Sequence, residues 1–338
     1  MSPRIGFLGA GLIAHFHALQ LSGCGEAFTF AGVFDPDARR SASFGAGWGA
    51  TACASEAEVL DTADAIYVCS WTSEHARLVG EAVSRRLPVF CEKPLAFDAA
   101  GAEAMADAVD GAGVPNQVGL VLRHSPAFGL LKHLVNDPAA GRVMSVTFRD
   151  DQYIPVQGMY ASVWRGDRTK AGAGTLIEHA VHDVDILEHC IGPVISVSSR
   201  SANFHGLDGI EDSVATVVEL AGGGVGVHST IWHDVMERPS LRRVEVFCER
   251  RYVSLENDWD GPVHWTTSGQ EPVTVDGEAL LGACRSAGVR LASPDADFIR
   301  AVGGGPALGP TIRDAVRPHR LVDAIYRSAA EGGRAVAV

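Results

Sequence analysis

Residues 4–14 read Arg-Ile-Gly-Phe-Leu-Gly-Ala-Gly-Leu-Ile-Ala, an apolar run that ends in the pattern Gly-x-Gly-x-x-Ala. This pattern is typical of a strand that turns directly into a helix around a dinucleotide. Gly9 permits the tight turn, Gly11 lets a pyrophosphate approach the backbone, and Ala14 is small enough for the helix to pack on the strand. Free N–H groups at the helix N-terminus attract phosphate. The stretch predicts a dinucleotide site, with an ordinary strand–helix turn as the alternative.

A second apolar run, residues 28–34, ends directly at Asp35. An acidic residue at the end of the second strand is where both hydroxyls of an adenosine ribose would be held. Asp35 favours NAD, because a carboxylate there repels the 2′-phosphate of NADP. Arg39 and Arg40 follow closely and would suit that phosphate, so NADP stays possible.

Composition limits the classes of protein to which the chain can belong. Its 338 residues are enough for two domains, and a hydrophobic content of 46% with 20% charged residues is ordinary for a globular protein. The formal charge of −13 argues against partners such as nucleic acid or an anionic membrane surface. Seven scattered cysteines indicate reduced thiols in a cytoplasmic protein. The sequence has no apolar run near the roughly 20 residues that cross a bilayer.

Short β-rich runs alternate with helical stretches in the first third of the chain. The pattern predicts strands at 28–34, 65–69, 88–91 and 117–122 and helices at 37–44, 74–86 and 99–109. Such alternation is typical of βαβ units, which build a parallel, doubly wound sheet with ligands at the carboxyl ends of its strands. We expect this α/β domain to span residues 1–122.

The pattern changes beyond about residue 140. A helix is expected at 175–190, and long β-rich runs then follow one another at 194–203, 212–220, 224–233, 241–249 and 252–255. A hairpin turn is expected at 222–224, and helices return at 294–302 and 311–330. Successive strands of this kind build a large open, mostly antiparallel sheet. Residues 123–338 are therefore expected to form a second α/β domain.

The stretch Cys91-Glu92-Lys93-Pro94 comes directly after a short strand. A lysine at the carboxyl end of a parallel strand points into the ligand crevice, where its ammonium can stabilise a developing alkoxide. A solvated surface lysine is the alternative. The loop after the preceding strand, residues 70–75, adds Trp71 as a possible cofactor contact, whereas Thr72 and Ser73 are explained as helix caps.

Glu178, His182 and Asp185 are spaced at i, i+4 and i+7 in the expected helix at 175–190. They would share one face, and a carboxylate one turn from a histidine prepares it for proton transfer. The same spacing would also suit a divalent metal or a merely ion-paired helix face. The sequence lacks the cysteine or His-Glu-x-x-His elements that support a metal site, so we expect none.

These motifs, in this order, resemble the Gfo/Idh/MocA family, which includes glucose–fructose oxidoreductase and inositol dehydrogenase. The resemblance rests on the glycine loop, on Glu92-Lys93-Pro94, on residues 172–185 and on the closing pattern at 321–328, and it covers essentially the whole chain. It implies a Rossmann domain followed by an α/β domain whose open sheet joins a homo-oligomer, either a dimer or a tetramer. It also implies nicotinamide-dependent oxidation or reduction of sugars, cyclitols and related polyols.

The resemblance also assigns roles to individual positions. Lys93 and His182 would be the catalytic residues at the reacting hydroxyl. The implied cofactor contacts are Gly9, Gly11, Leu12, Ile13, Asp35, Ser70, Trp71, His75, Glu92 and Lys93. The expected substrate contacts are Arg123, Trp164, Glu178, His179 and Asp185, although a structural ion pair explains Arg123 equally well.

Three positions depart from the family pattern. Glu178 stands where aspartate is usual, Trp71 stands where proline is usual, and His179 is larger than the residue commonly found. All three lie in the expected pocket, so they point to a substrate outside the better-known members.

The expected activity is hydride transfer between NAD and a secondary alcohol of a sugar, cyclitol or sugar derivative. His182 would accept the hydroxyl proton while Lys93 stabilises the charge on oxygen. A glycoside-cleaving enzyme that recycles bound NAD and a non-catalytic dinucleotide-binding regulator are the alternatives. Trp164, Trp232 and His233 are candidates to line a sugar-sized pocket, and ordinary core packing explains each equally well.

Overall fold

The computed structural model describes residues 2–338, in which strands and helices alternate up to residue 153 and seven strands, from residue 194 to residue 275, then follow one another. The strands are β1 (Arg4–Leu8), β2 (Thr29–Phe34), β3 (Thr51–Ala52), β4 (Ala65–Val68), β5 (Val89–Cys91), β6 (Asn116–Val118), β7 (Val143–Tyr153), β8 (Val194–Ala202), β9 (Ser213–Leu220), β10 (Val225–His233), β11 (Leu241–Cys248), β12 (Arg251–Leu255), β13 (Val263–Thr267), β14 (Val273–Val275) and β15 (Val336–Ala337). The helices are α1 (Leu12–Gly23), α2 (Ala38–Trp48), α3 (Glu56–Thr62), α4 (Thr72–Ser84), α5 (Ala99–Ala112), α6 (Pro126–Asn136), α7 (Arg168–Ala171), α8 (Thr175–Glu178), α9 (Val181–Cys190), α10 (Gly277–Ser286), α11 (Pro294–Val302) and α12 (Val316–Ala330).

The chain forms two compact units. The first contains the residues up to Leu120 together with Ala292–Val316, and the second contains Val121–Leu291 and Arg317–Val338. This division differs from the expected continuous domains 1–122 and 123–338, because the segment that carries α11 returns to the first unit. There Phe298 packs edge-on against Tyr67 and Phe90 of the sheet. The spacing of apolar residues in α11 predicts a helix but does not indicate the sheet on which it packs.

The first unit is built on a six-stranded sheet in the order β3-β2-β1-β4-β5-β6, and its strand pairs are parallel. The predicted doubly wound parallel sheet is confirmed. The order reverses between β1 and β4, so the crevice for a ligand lies at the carboxyl ends of these strands. The strand expected at 117–122 is shorter, because β6 ends at Val118 and a 3-10 turn follows at Val121–His124.

The second unit is built on a nine-stranded sheet in the order β14-β13-β12-β11-β7-β10-β9-β8-β15. The pair β7–β10 is parallel and the other pairs are antiparallel, so the predicted mostly antiparallel sheet is confirmed. One face packs against apolar residues of α6, α9 and α12. The central strand β7 was not predicted, because Arg149-Asp150-Asp151-Gln152 gives its second half a polar sequence. The helix expected from 311 begins at Val316.

Helix length and polarity also bear on membrane association. Among residues 2–338, every helix is too short or too polar to cross a bilayer.

The seven cysteines are free thiols, and six of them are buried.

Candidate active site

The loop between β1 and α1 has the geometry that a dinucleotide requires. Gly9 has a φ of +99°, and a Cβ there would collide with the backbone oxygen of Cys69 after β4. Gly11 is the N-cap of α1 and makes no side-chain cap, while a Cβ on it would meet nothing within 4 Å. The flanking side chains of Leu12 and Ile13 are exposed. Open space above uncapped N–H groups suits the pyrophosphate of NAD.

Asp35 follows β2 at the same edge of the sheet and fixes this loop. One carboxylate oxygen accepts the N–H of Ala10 at 2.9 Å, and the other accepts the N–H of Asp37 at 2.9 Å. The acidic group therefore lies beside the loop, where the ribose of NAD would need it. The guanidinium of Arg39 is directed to Asp37 at 2.9 Å, and its side chain is 91% exposed. This arrangement favours NAD over NADP.

The residues after β4 lie at the same edge, but they have different environments. Trp71 is the N-cap of α4 and makes no side-chain cap, so the predicted capping by Thr72 and Ser73 is wrong. His75, an expected cofactor contact, is buried, with Nδ1 2.8 Å from the carbonyl oxygen of Pro94 and Nε2 3.2 Å from that of Ser70. The ring of His75 therefore links the loop that contains Ser70 to the loop that contains Pro94, and its burial makes it inaccessible to a ligand. Ser70 and Trp71 are partly exposed and remain candidate cofactor contacts.

Lys93 follows β5, and buried charges hold its peptide. One carboxylate oxygen of Glu92 accepts the N–H of Lys93 at 3.2 Å, and the other lies 2.9 Å from Nε2 of His17 on α1. Nδ1 of His17 lies 2.8 Å from Oδ1 of Asp295 on α11. Burial disfavours the charged ring, but Asp295 and Glu92 outweigh burial and raise the pKa of His17 to about 10. Glu92, an expected cofactor contact, is therefore turned inward to a buried imidazolium.

The helix expected at 175–190 is interrupted, so that prediction is wrong in one respect. α8 ends at Glu178 and α9 begins at Val181, because the N–H groups of His179 and Ala180 both end on the carbonyl oxygen of Thr175. Glu178 is therefore not on the helix that carries His182 and Asp185. These two lie three residues apart on α9, and both are buried.

The start of α8 is fixed by Glu211, which sequence reasoning missed. Its carboxylate accepts the N–H groups of Gly174 at 2.8 Å and Leu176 at 2.9 Å. A Cβ on Gly174 would collide with the backbone oxygen of Glu211, so glycine is required for this close approach. The hydroxyl of Tyr326 donates to the same carboxylate at 2.9 Å. The α8 segment is thus anchored before it reaches the candidate site.

Two carboxylates that were expected to contact substrate are bound by arginines. Asp185 accepts from Nη2 of Arg123 at 2.6 Å and from Nε at 2.9 Å, so the ion-pair interpretation of Arg123 is the one that the structure shows. Glu178 accepts from Nε of Arg165 at 3.0 Å. The same guanidinium lies 4.7 Å from the ring centroid of Trp164, a distance typical of a cation–π contact.

His179 adjoins a buried cluster around Arg242. Its Nε2 lies 2.8 Å from Oδ2 of Asp150 and 3.2 Å from Nη2 of Arg242. Arg242 also donates to Asp183 at 2.8 Å and to Asp258 at 2.8 Å. Burial and then the charge of Asp150 raise the pKa of Asp183. Burial opposes ionisation of Asp150 as well, but Arg242 and His179 outweigh it and lower the pKa of Asp150.

The remaining aromatic candidates differ in burial. Trp232 is 3% exposed and packs with Ile154, Ala171 and Ile210, so of the two explanations that its sequence position allows, the structure favours ordinary core packing. His233 is partly buried at the end of β10. Trp164 packs at the edge of the same apolar group and is partly exposed.

Sequence reasoning missed six charged residues whose ion pairs and hydrogen bonds position the candidate residues of each unit. They are His17, Asp150, Arg165, Glu211, Arg242 and Asp295. Their partners are as far as 278 residues away, so no local spacing indicates the pairs. The available signal was a charged residue at a core position of a strand, as with Asp150 in β7 and Arg242 in β11. Among residues 2–338, no group of three or more His, Cys, Asp or Glu side chains is placed to hold a metal ion.

Comparison with known proteins identifies the family. The model of the oxidoreductase family GFO_IDH_MocA, with an NAD-binding Rossmann fold, matches residues 3–120, and that of the GFO/IDH/MocA C-terminal domain matches residues 128–254. The chain belongs to the Gfo/Idh/MocA family of oxidoreductases. The predicted family, the α/β fold, the enzyme class and the NAD cofactor are confirmed.

Relatives cover the full length of the chain. It is 26% identical to inositol 2-dehydrogenase of Rhizobium meliloti, with 98% of each chain covered. It matches the solved structure of levoglucosan dehydrogenase in complex with NADH and levoglucosan at a TM-score of 0.86 and 20% identity, with 100% of both chains covered. It also matches the WlbA dehydrogenase of Bordetella pertussis in complex with NADH and UDP-GlcNAcA at a TM-score of 0.84 and 22% identity, with 100% and 98% covered. These two structures show that the fold is shared.

Proposed function

We propose that the protein transfers hydride between NAD and a secondary alcohol of a neutral sugar, cyclitol or related polyol. The observation that carries the proposal is the position of Lys93 directly after β5, at the sheet edge that holds the Gly9–Gly11 loop and Asp35. A pure binding module does not need a lysine there. Relatives named inositol 2-dehydrogenase and levoglucosan dehydrogenase support the substrate class.

The charges of the second unit support a neutral substrate. The guanidinium groups of Arg123, Arg165 and Arg242 are each bonded to carboxylates of the same unit. Each positive charge is already compensated, so these side chains are poorly disposed to bind a phosphate or a sugar acid. Trp164 offers an aromatic face of the kind that packs on the apolar side of a sugar ring.

The chemistry follows from the residue types. His182 accepts the hydroxyl proton as the C–H bond of the same carbon breaks. Lys93 donates a hydrogen bond to the oxygen and stabilises the negative charge that builds on it. Bound NAD supplies the hydride acceptor, held by the Gly9–Gly11 loop and Asp35. In the reducing direction, His182 returns the proton to the oxygen.

The test is the absorbance of NADH while purified protein with NAD is offered inositols, levoglucosan, glucose, glucose 6-phosphate and a glucuronide. We expect turnover with a neutral compound and no more than weak turnover with the anionic ones. Lys93→Met and His182→Asn should each lower kcat about a thousandfold and leave the NADH dissociation constant within about threefold. Equal losses of kcat and NADH affinity would contradict the roles assigned to these residues.

Other outcomes of this test would favour the alternative functions. Cleavage of a glycoside without net accumulation of NADH would identify an enzyme that recycles its cofactor. NADH binding with no turnover of any compound would favour a regulatory protein. Faster turnover of glucose 6-phosphate than of neutral sugars would contradict the preference for a neutral substrate, but it would not contradict the proposed hydride transfer.

We also propose that the protein is a cytoplasmic homo-oligomer, a dimer or tetramer, that associates through the open face of the nine-stranded sheet. Val217, Val225, Val227 and Phe247 are about half exposed on this face. They lie on β9, β10 and β11, so the apolar side chains form a patch that a second copy would cover. Val227→Glu should convert the oligomer to a monomer in light-scattering measurements. A monomeric wild-type protein would contradict this part of the proposal.

A further inference from the structure

The peptide that carries Lys93 lies between two buried histidines. On one side, Glu92 is bonded to His17, and its carboxylate lies so close to Gly119 that a Cβ there would collide with it. On the other side, His75 contacts the carbonyl oxygen of Pro94. Both histidines come from helices, α1 and α4, that begin at the candidate cofactor site. The backbone around Lys93 is therefore held by the side chains of His17 and His75, which are buried and inaccessible to a ligand.

The ring of His17 makes two contacts of the same chemical type. Both ring nitrogens lie within 2.9 Å of a carboxylate oxygen, and carboxylate oxygens accept hydrogen bonds, so both nitrogens carry hydrogen and the ring is an imidazolium. Phe90 packs edge-on against the ring at 4.8 Å between centroids, and Tyr67 lies 5.4 Å away. Aromatic neighbours exclude water, so neither carboxylate has solvent as a substitute partner.

We propose that His17 is a positioning residue for Lys93. Its Nε2–H holds Glu92, and the second oxygen of Glu92 holds the N–H of Lys93, whereas its Nδ1–H only anchors the ring to Asp295. Without the Nε2 contact, the buried carboxylate of Glu92 loses its compensating charge and turns away, and the Lys93 peptide moves with it. The inference rests on the proposed function, because Lys93 matters for turnover only if it acts at the reacting oxygen.

Two substitutions separate the two contacts of His17. The amide nitrogen of asparagine corresponds in position to Nδ1, so His17→Asn keeps the contact with Asp295 and loses the one with Glu92. The amide nitrogen of glutamine corresponds to Nε2, so His17→Gln keeps the contact with Glu92 and loses the one with Asp295. Both variants remove one buried charge and should lower the melting temperature by similar amounts. A merely structural role would therefore affect turnover equally in both.

The chain contains only three lysines, Lys93, Lys132 and Lys170, so the position of Lys93 can be observed directly. Reductive ¹³C-methylation gives one dimethylamine signal for each lysine, and Lys93→Arg assigns the signal of interest. In the NADH-bound protein we expect the Lys93 signal of His17→Gln to match that of the wild type. In His17→Asn it should move towards the position and narrow linewidth of the signal from Lys170, whose ammonium is 3.4 Å from Asp167 near the surface.

Turnover of the polyol identified above gives the second readout. We expect kcat to fall about a hundredfold in His17→Asn and to stay within about fivefold of wild type in His17→Gln. His15→Gln is the matched control, since it loses a ring contact with Trp48 on the same helix and should leave the Lys93 signal and kcat unchanged. If His17→Asn does not fold, Glu92→Gln removes the same charge contact and should give the same two results.

The outcomes distinguish the two proposals. Equal effects of His17→Asn and His17→Gln on the Lys93 signal and on kcat would overturn the positioning role. Full activity of Lys93→Met would overturn the proposed function, and the NMR signals would still show whether His17 positions the lysine.

Discussion

Each unit contains a buried cation that lies among several carboxylates, and the two arrangements differ in the number of carboxylates. In the first unit, the imidazolium of His17 lies between Glu92 and Asp295, which we call the His17 cluster. In the second unit, the guanidinium of Arg242 lies among the carboxylates of Asp150, Asp183 and Asp258, which we call the Arg242 cluster. One cation meets two carboxylates in the first cluster and three in the second.

Both clusters adjoin a candidate catalytic residue in the chain. Glu92 of the His17 cluster directly precedes Lys93, and Asp183 of the Arg242 cluster directly follows His182. A catalytic side chain needs a fixed backbone, and a buried, charge-compensated neighbour provides one because it cannot move without exposing an unpaired charge. A buried ion pair next to a candidate catalytic residue therefore occurs in both units, although their sheets differ in topology. The difference is that the imidazolium of His17 loses its proton as the pH rises towards 10, whereas the guanidinium of Arg242 keeps its proton.

The largest expected effect comes from removing the cation that does not titrate. Arg242→Met removes the guanidinium that pairs with the buried carboxylates of Asp150 and Asp183, so it should lower the free energy of unfolding by about 3–5 kcal/mol. Urea unfolding at pH 7 measures this loss. Arg243→Met, one residue along β11 on the exposed side, is the matched control and should change stability little. Equal free energies of unfolding for the two variants would show that the Arg242 cluster does not stabilise the fold.

The His17 cluster should make stability depend on pH. The pKa of His17 is raised to about 10 in the folded protein, above its ordinary value of 6.5. The contribution of the charged ring to the free energy of unfolding is therefore complete below about pH 6.5. It is lost as the pH rises towards 10, at up to about 1.4 kcal/mol per pH unit. Between pH 7 and 8.5 the free energy of unfolding should fall by about 2 kcal/mol more in the wild type than in His17→Gln.

Urea titrations at several pH values across this range test the prediction. The pH range ends at 8.5 because buried cysteines also make stability depend on pH above that value. Burial raises the pKa of Cys190 to about 12 in the folded protein, whereas the same thiol ionises near its ordinary pKa when the chain is unfolded. Identical pH dependence in the wild type and His17→Gln would mean that the ring is not charged in the folded protein. The contrast between the two clusters would then lose its basis.

The two units also differ in how far their sequences predict them. In the first unit each candidate residue follows a short apolar strand, because parallel strands bring their carboxyl ends to one edge, and so Gly9, Asp35 and Lys93 were predicted from position alone. The second unit's site depends on ion pairs between residues distant in the chain, such as Arg123 with Asp185. The same limitation applied to Asp295 in the first unit, since no local pattern links it to His17.

The smallest expected effect concerns a carboxylate that is shortened by one methylene group in each unit. Glu178 is buried, but its partner Arg165 is 25% exposed and can follow a retracted carboxylate with water as a substitute. Glu178→Asp should therefore lower the free energy of unfolding by less than about 1 kcal/mol.

Glu92→Asp provides the matched comparison for that substitution. The ring of His17 is fully buried and fixed at Asp295, so it cannot follow the shorter side chain, and the loss should be about 2–3 kcal/mol. Urea unfolding of the two variants at pH 7 measures both values. A larger loss for Glu178→Asp would mean that Arg165 is held as rigidly as His17. Glu178 would then be held as firmly in the second unit as Glu92 is in the first, because a partner that cannot follow its carboxylate has no alternative position to occupy.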